Sequence, residues 1–148
     1  MKIKIINGPN LNLLGIRDKR FYGETSLDEI NENISKKALE MGATVDFFQS
    51  NSEGAIIDEI QKCLGNYDGI IINPGGYTHY SVAIRDALEA VRIPAVEVHL
   101  SNIFSREDFR RKTLTGQSAI GIIAGLGAEG YILALMGLKN ILHKREGI

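Results

Sequence analysis

Five short apolar runs, each cut off by asparagine, glutamine, serine or glycine, alternate along this chain with stretches of helical period. Few folds accommodate that alternation. Ile70, Ile71 and Ile72, between Gly69 and Pro74, form a run too short for a helix, and it predicts a strand buried on both faces, as in a parallel sheet. Ile3, Ile5 and Ile6, then Thr44 to Gln49, Ala95 to Leu100 and Ala119 to Ala124, supply four more strands. Ser26 opens a capping box with Glu29, and Leu27, Ile30, Ile34, Ala38 and Met41 then repeat at helical spacing until Gly42. Ser52 caps a second helix with Ile56, Ile57, Ile60, Cys63 and Leu64 on its inner face. Thr78 or Ser81 caps a third, from about Tyr80 to Val91. A short exposed helix is expected around Arg106, Asp108, Arg110 and Arg111, and a last helix follows Gly125 and Gly127 to near Lys144.

Strand and helix alternating with crossover-length connections predict an α/β fold, a doubly wound sheet of five parallel strands in the flavodoxin-like order 2-1-3-4-5. In such a sheet ligands bind beyond the carboxyl ends of the strands, here in a crevice between the ends at Asn7 and Asn73. The 148 residues suit one domain, 1–148. With 17 basic and 18 acidic side chains there is no global field to recruit nucleic acid. Cys63 is the only cysteine, so no disulfide forms within the chain, and its apolar neighbours read it as a small buried hydrophobe. Neither a signal-type apolar segment nor a span of membrane length occurs, which makes the cytoplasm the expected location.

Chemistry concentrates at the strand ends. In the fourth strand Glu97, His99 and Ser101 alternate with Val96, Val98 and Leu100, so carboxylate, imidazole and hydroxyl share one face. Glu97 is placed to orient His99 and favour its charged form, which suits a general acid; a core histidine satisfied by a local carboxylate is the plainer reading. His79 follows Gly75 and Gly76 on another strand end and can converge with His99. Two histidines and one carboxylate lack the spacing of zinc motifs, so no metal is expected. Between Gly15 and Gly23 lies a loop with Arg17, Lys19, Arg20 and Tyr22, read as a hinged lid or as a solvated surface loop. A cation about 4 Å from a phenolic oxygen, at an effective dielectric near 20, is worth about 4 kcal/mol, enough to make a tyrosine a working base. Arg17 alone could supply that cation to Tyr22.

The segments NGPNLNLLGIRDKRFYG, INPGGYTHYSVAIRD, EVHLSN, SREDFRR and GLGAEGYILAL, in this order, resemble the type II 3-dehydroquinate dehydratases over nearly the whole chain. The resemblance implies elimination of water from 3-dehydroquinate through an enolate, without cofactor or metal. It implies Tyr22 as base, Arg17 as its activator, His99 as acid with Glu97 as its orienting partner, and Asn10 as holder of a water against the enolate oxygen. Asn73, His79, Leu100, Ser101 and Arg110 match substrate-binding positions. Asp86 matches an aspartate that reaches a neighbouring subunit's site, which implies a dodecamer, a tetramer of trimers. Two departures stand out: Lys19 replaces a proline common in the lid, and Tyr80 replaces a smaller residue beside His79.

Two other classes of function fit parts of the sequence. Gly-rich turns at Gly75 and Gly125 also suit a non-catalytic flavodoxin-like module binding a small molecule. An apolar last helix with Tyr131, Leu135 and Leu138 also suits a protein whose only role is assembly.

Overall fold

The computed structural model describes residues 1–16 and 18–147. Five strands, β1 (Lys2–Asn7), β2 (Thr44–Gln49), β3 (Gly69–Asn73), β4 (Ala95–His99) and β5 (Gly121–Ala124), form one parallel sheet in the order 2-1-3-4-5. This is the flavodoxin-like arrangement expected from the alternation. Helices α1 (Lys19–Tyr22), α2 (Leu27–Glu40), α3 (Glu53–Lys62), α4 (Val82–Val91) and α5 (Glu129–Glu146) complete it. Ser26, Ser52 and Ser81 cap α2, α3 and α4, each accepting a backbone N–H three residues on.

Each face of the sheet has its own core. On one, Ile3, Ile5, Ile71 and Val98 pack against α2 and α5; on the other, Ile6, Ile70 and Ile72 pack against α3 and α4. β1 and β3 are buried on both faces, which is why their isoleucines run on without alternation. Tyr131, Leu135 and Leu138 of α5 are fully buried in the first core, so the face read as an assembly surface is occupied by the chain's own sheet. Cys63 is fully buried in the second core, where burial pushes its thiol up to about 11.

Three local expectations change. Leu64 lies past the end of α3 and is exposed, because the helix stops at Lys62 before the chain turns at Gly65. Thr78 does not cap α4; Ser81 does, and Thr78 is buried in a 3-10 turn, Gly75–His79, whose hydroxyl faces the sheet. The segment around Arg106 makes three separate 3-10 turns, Ile103–Ser105, Asp108–Arg110 and Thr115–Ser118, rather than one exposed helix. No apolar stripe runs along it to hold a helix down.

The strand ends that frame the site are tied together. Asn7 and Asn73 stand side by side in register, and Gly8 N–H donates to Asn73 O (2.8 Å). A Cβ on Gly8 would sit 2.4 Å from Pro74 O, so only glycine lets the two loops meet. Beneath them the buried Tyr131 hydroxyl donates to Asn7 Oδ1 (2.5 Å) and accepts from Asn73 Nδ2 (3.2 Å).

On the α3 face, Lys4 Nζ lies 2.5 Å from Glu59 Oε1, with both side chains nearly buried. Lys62 lies 3.4 Å from the other carboxylate oxygen and is exposed. Removing one partner of such a pair strands the other charge. Lys4→Ala is therefore expected to cost about 3 kcal/mol, the lower end for a broken buried pair because Lys62 remains. Urea denaturation at pH 7 measures it.

Candidate active site

A cleft of about 230 Å³ opens beyond the carboxyl ends of β1, β3 and β4. Asn10, Tyr22, Asn73, His79, His99 and Ser101 line it together with the Leu100 backbone, Arg106 and Arg110. This is the switch-point crevice that the strand order demands. A larger depression of about 350 Å³ lies over α2 and the end of β2, among Asn12, Ser26, Asp28 and Asn31, but none of the described residues lining it is an imidazole or a cation.

His99 ends β4 and Glu97 precedes it on the same face, as period two requires. His99 Nε2 is 2.6 Å from Glu97 Oε1. Glu97 is fully buried and also takes hydroxyls from Thr78 (2.5 Å), Thr113 (2.7 Å) and Thr115 (2.6 Å). Burial is the largest influence and pushes this carboxyl up, but hydrogen bonds from His99, Thr115 and Thr78 outweigh it and hold it below the usual range. An anionic carboxylate only accepts, so Nε2 carries a proton and Nδ1 is left for the cleft.

His79 closes the 3-10 turn after β3, and its Nδ1 lies 2.8 Å from Lys112 O. A carbonyl only accepts, so Nδ1 carries the proton. Burial lowers this imidazole below its ordinary value, more than the Lys112 carbonyl raises it. His79 is thus neutral at neutral pH and offers Nε2 as an acceptor. Its neighbour Tyr80 turns outward, 64% exposed and edge-on to Tyr77, so it does not narrow the cleft.

Tyr22 comes from α1, in the segment between Gly15 and Gly23, both at positive φ. Arg106 Nη1 donates to the Tyr22 hydroxyl (3.0 Å) and to Ser101 Oγ (3.3 Å), and its guanidinium lies 4.2 Å from the centre of the Phe21 ring. Far from being a solvated charge, Arg106 has a side chain only 10% exposed. It ties Phe21 and Tyr22 of α1 to the cleft. Arg17 lies outside the described residues, as does the side chain of Lys19.

Asn10 lies in the left-handed region (φ 68°), which asparagine tolerates, and its N–H donates to Asn51 Oδ1 (3.0 Å). Asn73 is buried, with one amide proton on Tyr131 and its Oδ1 accepting from Gly75 N–H (3.1 Å). Arg110 borders the cleft and pairs with Glu107 (2.8 Å). Asp86 stands apart, exposed on α4 in a depression shared with Glu89 and Arg92.

Sequence reasoning thus missed how Arg106 is used and did not find Thr113 and Thr115. Their partners lie 84, 16 and 18 residues away in the chain, beyond the reach of local spacing. The only sequence signal was a hydroxyl at alternate positions after the arginine-rich turn.

The family model described as class II dehydroquinase matches residues 1–139. A 3-dehydroquinate dehydratase from Caldicellulosiruptor saccharolyticus is 58% identical over 142 residues, 95% of this chain and 98% of the relative. One from Aliarcobacter butzleri is 49% identical over 148 residues, 100% of this chain and 90% of the relative. The crystal structure of a type II dehydroquinase from Butyrivibrio crossotus superposes with a TM-score of 0.92 at 50% identity, covering 94% of this chain and 97% of that one. With the sheet order, the cleft and these matches in agreement, the chain belongs to the class II dehydroquinase family.

Proposed function

We propose that this chain is a 3-dehydroquinate dehydratase, a hydro-lyase that converts 3-dehydroquinate to 3-dehydroshikimate in the shikimate route to aromatic amino acids or in quinate breakdown. The observation that carries the reading is a tyrosine and a Glu-held histidine lining one cleft among polar anchors. A guanidinium donating to the phenolic oxygen favours negative charge on that oxygen. Tyr22 then takes the proton from the carbon beside the ketone, and the electron pair moves onto the ketone oxygen as an enolate. Asn10, at the cleft mouth, orients a water that stabilises this charge. In the second step the enolate collapses, the C–O bond breaks, and His99 gives its Nδ1 proton to the departing hydroxyl. Water leaves and a conjugated enone remains.

The anchors divide the substrate's polar groups. The neutral His79 accepts from a substrate hydroxyl, and Arg110 offers charge-assisted donors to another. Asn73, Ser101 and the Leu100 backbone face the carboxylate. The reading keeps Arg17 as the activator of Tyr22 that the family resemblance implies. The reading assigns base, acid and anchors to groups of the chain itself and calls on neither metal nor cofactor.

Arg106→Met is expected to lower kcat by about tenfold to a hundredfold, the worth of a charged hydrogen bond of roughly 1.5–3 kcal/mol. Steady-state turnover at pH 7 measures it. The proposal also takes in assembly: twelve copies as four trimers, with the exposed Asp86 reaching a neighbouring cleft, in the cytoplasm. Light scattering of the purified protein tests the number. Among the described residues no helix is long and apolar enough to cross a membrane.

The activity is tested by mixing protein with 3-dehydroquinate in chelator and following enone absorbance. A rise that survives borohydride pretreatment with substrate supports the enolate route over a lysine Schiff base. A folded protein that gives no rise but carries flavin or nucleotide absorbance would favour the binding-module reading instead.

A further inference from the structure

Behind the histidine and carboxylate pair stand three threonines that do not line the cleft. Thr78 and Thr115 are fully buried, and Thr113 is partly so. Thr78 and Thr113 donate to Glu97 Oε1, the oxygen that also faces His99 Nε2. Thr115 alone among the described residues donates to Oε2, at 2.6 Å.

The proton count decides what such a cluster holds. Each threonine hydroxyl has one proton, the His99 ring contributes a fourth at Nε2, and an ionised carboxylate has only acceptors. A neutral Glu97 would add a fifth proton among hydroxyls that already stand 2.6 and 2.9 Å from one another. The cluster is therefore shaped around the anion. Donors on Oε1 alone would still let the carboxylate turn about its last carbon–carbon bond. A donor on Oε2 fixes its plane.

The same short segment holds the second imidazole. Lys112 O accepts from His79 Nδ1, and Leu114 N–H donates to Thr78 O (2.7 Å), tying the segment to the turn that carries His79. Gly116 N–H donates to Thr113 Oγ1 (2.9 Å), which sets that hydroxyl's proton toward Glu97.

Resting on the reading of His99 as the acid, we propose that residues Lys112–Thr115 form the positioning element for both cleft histidines. Its carbonyl at Lys112 orients His79, and Thr113 and Thr115, with Thr78, are positioning residues that lock the Glu97 carboxylate against the His99 ring. None of the three threonines touches substrate, so their effect falls on the chemical step rather than on binding.

Thr115→Val keeps the shape and removes the hydroxyl, whereas Thr115→Ser keeps the hydroxyl. For Thr115→Val with 3-dehydroquinate, kcat is expected to fall about tenfold to a hundredfold, a loss of roughly 1.5–3 kcal/mol for a hydrogen bond to a charged group. KM is expected to stay within about twofold, and the acidic limb of the kcat profile to move to higher pH because the anion has lost a donor. Thr115→Ser should return kcat to within about threefold of the parent protein. Should Thr115→Val fail to fold, Thr115→Ala, which removes the same hydroxyl from Oε2 without adding bulk, carries the same test. A valine variant with full kcat, or a serine variant as slow as valine, overturns the proposal. His99→Gln is measured alongside: if it too stays active, the acid assignment itself is wrong, whereas an inactive His99→Gln beside a fully active Thr115→Val removes only the positioning role.

Discussion

Tyr22→Phe is expected to lower kcat by about a thousandfold or more, within the range a general base contributes, while leaving the fold intact. The change deletes one oxygen. That oxygen accepts from Arg106 and lies in the cleft, and it is the group positioned to receive the substrate's proton. The ring that packs edge-on against Phe21 is retained (centroids 6.2 Å apart), so the lid segment should still seat over Arg106. KM is accordingly expected to change little. Circular dichroism and the melting temperature should match the parent. A Tyr22→Phe protein with normal kcat would remove the base from the mechanism.

Glu97→Gln carries the second large effect. An amide of nearly the same shape replaces the carboxylate, but it has one acceptor oxygen and an NH₂ that can only donate. At least one of the four donors around Glu97 must then face a donor instead of an acceptor. The site is fully buried, so water cannot repair the mismatch. A stability loss of about 1–3 kcal/mol is expected, together with a fall in kcat of roughly a hundredfold or more, because His99 loses the anion that supports its positive form. The pH dependence gives a separate handle. A carboxylate held below its usual range contributes stability above that range, and the contribution disappears as pH falls through its folded value. Glu97→Gln should therefore narrow the gap in urea stability between pH 7 and pH 3, with its loss concentrated at pH 7.

Most of the fold was legible because local and global signals agree in it. Serine caps at Ser26, Ser52 and Ser81 and strand runs too short for helices set the element order. That order suited a doubly wound parallel sheet with right-handed crossovers, for which the flavodoxin-like order was expected. What the chain hid was decided by contacts between distant segments. Thr78 and Ser81 are equal as caps in sequence, and the Glu97 carboxylate, on another strand, draws Thr78 away. The arginines after β4 read as a solvated face, yet Phe21 and Tyr22 cover Arg106 from the far side of the cleft. The apolar stripe of α5 matched a core and an interface equally well, and only the packed sheet distinguishes them. At the site, period two alone paired Glu97 with His99. The roles of Asn10 and Asp86 came from the family resemblance.

The central claim is a division of labour: Tyr22 removes the proton, and His99 releases the hydroxyl. Proton exchange in D₂O separates these steps. With 3-dehydroquinate followed by nuclear magnetic resonance, His99→Gln should still wash deuterium into the carbon beside the ketone while forming almost no enone. Tyr22→Phe should do neither. Exchange at the parent rate in Tyr22→Phe would contradict the account, because some other group would then be the base.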